Sequence, residues 1–85
     1  MKKDMILKQA KEINDIEEWL DGIVLDYLQK HNEDAFPLKT LSVIIKKHTV
    51  ITLRLSVIFE IIVRLLKKDK IRVFDYKGAI LIAAK

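Results

Sequence analysis

The 85-residue chain has no cysteine and only two histidines, which leaves room for one domain and no material for a disulfide framework or a zinc-type ligand cluster. A chain this short buries only about 60–65% of the surface its unfolded form exposes, so its stability needs dense packing or association. Charge divides it: residues 1–36 carry five Lys against nine Asp or Glu, net −4, and residues 37–85 carry eleven Lys or Arg against three acids, net +8. A basic half is the electrostatic footprint of a nucleic-acid binder; the alternative is a solvated lysine-rich surface that keeps an apolar protein in solution.

The opening "MKKDMILKQAKEI" places charges where a signal peptide needs an uninterrupted apolar core, so an intracellular, cytoplasmic protein is expected. Residues 1–13 are loosely periodic and read as a flexible arm or an extension of the next helix. Asn14 followed by Glu17 has the spacing of a capping box, and Ile16, Trp19, Leu20, Ile23, Val24, Tyr27 and Leu28 then recur at helical intervals. This predicts a helix of about four turns. Trp19 and Tyr27 are its packing anchors, and Glu17, Glu18, Asp21 and Asp26 form an acidic outer face. The carboxylates Asp15, Glu18 and Asp21 are expected in solvent.

"HNED" supplies turn chemistry, with His31 a turn residue. Pro37 suits the first turn of a second helix with the apolar stripe Leu38, Leu41, Ile44 and Ile45. Lys46, Lys47 and His48 fall in its last turn, where the helix dipole favours cations. The most apolar stretch, "ITLRLSVIFEIIVRLL", follows at residues 51–66. On a helical wheel Leu55, Ile58, Phe59, Ile61, Ile62, Val63, Leu65 and Leu66 fill an arc of roughly 200°, and Ser56, Glu60, Arg64, Lys67 and Lys68 share roughly 120°. Arg54, Glu60 and Arg64 interrupt it too often for a membrane span. After Lys70 the period becomes two: Ile71 and Val73 alternate with Arg72, "DYKG" turns with Gly78 able to take positive φ, and "AILIA" returns.

Three helices followed by a two-stranded β-hairpin make an α+β, mostly helical chain with the winged helix-turn-helix arrangement. Over about Ile16–Ala83 the sequence resembles small archaeal winged-helix proteins, with "PLKTLSVIIKKH" as scaffold helix, "LRLSVIFEIIVRLLKKDKI" as recognition helix and "IRVFDYKGAILIA" as wing. Two glycines, one proline and many isoleucines and lysines also suit a thermophile. The resemblance implies a third helix in the major groove and a wing on the backbone or minor groove. The residues it points to are Lys46, Lys47, His48, Thr52, Arg54, Arg64, Arg72, Tyr76 and Lys77. Their cations would neutralise phosphates, and Arg54 is the candidate for reading a guanine.

The chain departs from the family pattern in a turn "HTVIT" without glycine and in a long interval between Leu41 and Ile71. Leu53, Val57 and Glu60 stand on the polar stripe of the third helix, and Glu60 has the i,i+4 spacing to pair with Arg64. Leu53, Val57 and Ile61, together with Met5, Ile6 and Leu7, are therefore a candidate protein interface; the competing reading makes them all core.

No phosphate-binding glycine loop, nucleophile elbow, paired carboxylates or metal spacing occurs, so neither an enzyme nor a cofactor, metal or small-molecule substrate is expected. The leading expectation is a DNA-binding or DNA-associated protein that contacts mainly the backbone. The alternative is an accessory subunit of a replication or transcription assembly, since the chain is similar in size and character to the short crenarchaeal proteins that accompany the replicative B-family DNA polymerase. A homodimeric transcription regulator lies between the two.

Overall fold

The computed structural model describes all residues, Met1–Lys85, as α1 (Lys3–Gln9), α2 (Ile16–Lys30), β1 (Phe36–Pro37), α3 (Leu38–Thr49), α4 (Leu55–Lys67), β2 (Ile71–Tyr76) and β3 (Ala79–Ala84). This is one helix and one short strand more than the sequence predicts. Residues 3–9 are a separate helix without a buried residue, and Ala10, in extended backbone, interrupts it before α2. Helix α2 starts one residue later than its expected capping box. Asp15, not Asn14, is the N-cap, and its Oδ1 accepts a hydrogen bond from the Glu18 N–H at 3.1 Å, satisfying a first-turn amide that has no partner within the helix.

Leu20, Val24 and Leu28 step along α2 every four residues and are buried. The chain then turns through 31–34, where Tyr27, His31 and Phe36 gather, with ring centroids 5.4 Å apart for Tyr27 and Phe36 and 4.5 Å for Tyr27 and His31. Phe36 and Pro37 pair with Ile82 and Leu81 of β3. Proline is tolerated there because β1 is the edge of a sheet ordered β1-β3-β2. Pro37 is thus the N-cap of α3 and not its first residue.

Helix α3 buries Leu41, Ile44 and Ile45 and ends at Val50, whose φ of 62° is left-handed. A β-branched residue is disfavoured in that conformation, and here it occupies the turn that lacks the common glycine. Thr49 supports the turn: its Oγ1 donates to the Ile45 carbonyl at 2.7 Å and accepts from the Ile51 N–H at 3.1 Å. Residues 51–54 are not helical, so α4 begins at Leu55 with no side chain capping it. It ends in a Schellman motif: Lys70 N–H bonds to Leu65 O and Asp69 N–H to Leu66 O, with Asp69 at φ 59°.

Strands β2 and β3 pair from Ile71↔Ala84 to Tyr76↔Ala79. Lys77 and Gly78 both have positive φ, as a tight type I′ hairpin requires, and Asp75 Oδ1 accepts from the Gly78 N–H. The core comprises Leu20, Val24, Leu28, Leu41, Ile44, Ile45, Ile58, Ile61, Ile62, Leu65, Ile71 and Ile82, so each of α2, α3, α4 and the hairpin closes one side of it. Three packed helices followed by a hairpin form a winged-helix-like α+β domain. No helix is long and apolar enough to cross a membrane.

Candidate nucleic-acid interface

Helix α4 has two unlike flanks. Taking 100° per residue, its buried residues Ile58, Ile61, Ile62 and Leu65 span about 100°. Beside them Leu55, Phe59 and Leu66, expected inside, lie within about 40° of one another and are 49%, 50% and 47% exposed. Val73 and Ile80 share a sheet face with buried Ile71 and Ile82 but stand nearer the hairpin tip and are exposed.

The opposite flank carries Arg64. Its Nε and Nη2 donate to the two carboxylate oxygens of Asp21 at 3.0 and 2.8 Å, and its Nη1 lies 3.1 Å from Glu17. Asp21, expected in solvent, is 5% exposed and joins α2 to α4. The hydrogen bond to Asp21, opposed by partial desolvation and supported by the negative charges of Asp21, Glu17 and Glu60, raises the Arg64 pKa above its ordinary value. Glu60 makes no ion pair with it. Arg64 therefore belongs to an interhelical clamp, and its expected availability to phosphate is corrected. The bidentate, planar fit to a carboxylate explains why arginine serves here.

Ile61, a candidate interface residue, is 0% exposed and belongs to the core. Leu53 is half-buried and packs against the core, and Val57 is also half-buried. The exposed apolar side chains are instead Leu55, Phe59 and Leu66. Helical periodicity marks the eight residues of the apolar arc of α4 alike; which of them a neighbour covers depends on how few neighbours an 85-residue fold supplies.

The remaining candidates are exposed. Lys46, Lys47 and His48 end α3, and the His48 Nδ1–H donates to the Ile44 carbonyl at 3.0 Å. Thr52 and Arg54 occupy the extended link before α4. Arg72 and Phe74 share the hairpin face away from the core, the guanidinium 5.3 Å from the ring centroid. Lys77 Nζ stands 5.4 Å from the Tyr76 ring centroid at the turn. Among the eleven cations of residues 37–85, only Arg64 and Lys85 form ion pairs, the latter with Asp69, leaving nine without a carboxylate partner.

A separate groove of about 640 Å³ lies along the other side of α2, lined among others by Glu18, Trp19, Gly22, Asp26 and His48 and walled by the link Lys11–Asp15. A Cβ built on Gly22 would meet nothing within 4 Å.

No protein family matches the chain, and no curated protein does so. A solved structure of HOP2, described as giving insight into its DNA recognition and protein interaction domains and its homologous DNA pairing properties, is similar in fold. It aligns with a TM-score of 0.65 and 21% identity over 78% of this chain and 98% of that one. At this identity the likeness shows the shared fold.

Proposed function

We propose that this chain is a small, non-enzymatic DNA-binding module that holds the nucleic-acid backbone without strong sequence readout. The observation that carries the reading is the set of nine cations with no carboxylate partner, spread over both ends of α3, the start and end of α4, and the hairpin. Cations not neutralised internally are free to displace the counterions of a phosphate chain, which gives salt-sensitive, sequence-independent affinity. Lys46, Lys47, Arg54, Arg72 and Lys77 are the principal contacts, with Thr52, His48 and Tyr76 as neighbouring polar groups. The likeness to HOP2, whose domains are described as serving DNA recognition and protein interaction, supports the reading. A salt-titrated binding measurement with double- and single-stranded DNA tests it. Affinity falls steeply with salt, and Lys46→Glu with Lys47→Glu weakens binding to all sequences alike.

A second reading, an accessory subunit of a replication or transcription assembly, is favoured by one observation. The helix in the recognition position exposes Leu55, Phe59 and Leu66 where a groove-reading helix would carry polar side chains. In that case Phe59→Asp abolishes co-purification with a partner subunit and leaves DNA affinity unchanged.

A further inference from the structure

We infer that the chain forms a two-fold dimer by reciprocal exchange of its N-terminal arms, the α1 segment of each copy lying in the α2 groove of the other. The arm is an element without a place in its own core. None of the residues of α1 is buried, and Met5, Ile6 and Leu7 are all exposed. Seven residues of isolated helix are too few to be stable in water alone, so such a segment needs a surface to pack on.

The groove has the complementary chemistry. Its lining has one lysine, Lys11, against the carboxylates Glu12, Asp15, Glu18 and Asp26, net −3 with His48 neutral. Asp26 is paired with Lys30 and Asp15 caps α2, which leaves Glu12 and Glu18 without partners. The arm through Gln9 carries Lys2, Lys3 and Lys8 against Asp4, net +2. Trp19 and Ile23, half-buried, and Ile13, exposed, give the groove an apolar floor for Met5, Ile6 and Leu7.

Gly22 sharpens the inference. It is the seventh residue of a 15-residue helix, where glycine weakens the helix relative to alanine, and its φ is ordinary. Nothing in its own chain needs the missing Cβ. The space is explained if another backbone lies against it. The link Lys11–Asp15 joins the arm to α2 and also walls the groove, so each arm starts beside its own groove and a two-fold axis there carries it to the partner's. Such an interface is isologous and closed.

Sedimentation equilibrium of the full chain over a concentration series up to high micromolar tests this. The wild type should approach the mass of two copies. Ile6→Asp with Leu7→Asp, and separately Gly22→Gln, should each weaken association by at least about tenfold. The arm variant should leave thermal unfolding of the monomer unchanged, and Gly22→Gln should raise it, because the first alters exposed side chains and the second removes a mid-helix glycine. A monomer at every concentration, or a dimer whose association neither variant changes, overturns the inference. So does an arm that protects its own groove independently of concentration.

Discussion

The two flanks of α4 solve the same problem in opposite ways. On one, Arg64 is anchored by Asp21 and Glu17, so charge is neutralised inside the fold and α2 is fixed against α4. On the other, Leu55, Phe59 and Leu66 have no covering element, and apolar surface is left to solvent. The difference teaches that the function of a side chain in this domain follows from whether another element reaches it. An arginine on α4 is structural, and a phenylalanine on the same helix is available for contact.

The largest expected effect comes from breaking the clamp. Asp21→Ala leaves Arg64 without its principal partner in a partly buried site, with only the exposed Glu17 beside it, and should destabilise the fold by about 1.5–3 kcal/mol, measured by chemical denaturation. Replacing both partners, Asp21→Leu with Arg64→Met, should recover most of that loss, since an apolar pair of similar volume avoids the desolvation penalty. If the double variant is as unstable as the single, the clamp is not what joins the two helices.

A smaller effect is expected at the turn between α3 and α4. Val50 is 86% exposed and left-handed, so Val50→Gly removes strain without removing packing. It should stabilise the domain by about 1 kcal/mol, raising the thermal midpoint by roughly 4–8 °C. The smallest effect belongs to the open flank: Phe59→Asp should change stability by less than about 1 kcal/mol.

The helices α2, α3 and α4 and the hairpin were legible in the sequence because burial on one side imposes a period, and the stripes of Leu20, Val24, Leu28 and of Leu41, Ile44, Ile45 carry it. Their partners were not. Asp21 sits only about 20° from Leu28 around α2, yet its burial depends on an arginine 43 residues away, a pairing that local spacing does not contain. The edge strand Phe36–Pro37 is too short for any period and contains a proline. Choosing Asn14 over Asp15 as the cap reflects two adjacent residues of equal capping ability. Within the candidate site, Lys46, Lys47, His48, Thr52, Arg54, Arg72, Tyr76 and Lys77 are exposed, and only Arg64 is held by carboxylate partners.

The central claim is that the unpartnered cations of residues 37–85 contact the backbone of DNA. The most direct measurement is the dependence of DNA affinity on salt for the wild type and for Lys46→Glu with Lys47→Glu. If both lysines contact phosphates, the log–log slope should become shallower by about 2 and the affinity should fall for every duplex sequence alike. An unchanged slope in the variant, or no binding by the wild type at low salt, would contradict the account and leave the exposed apolar flank of α4 as the working surface.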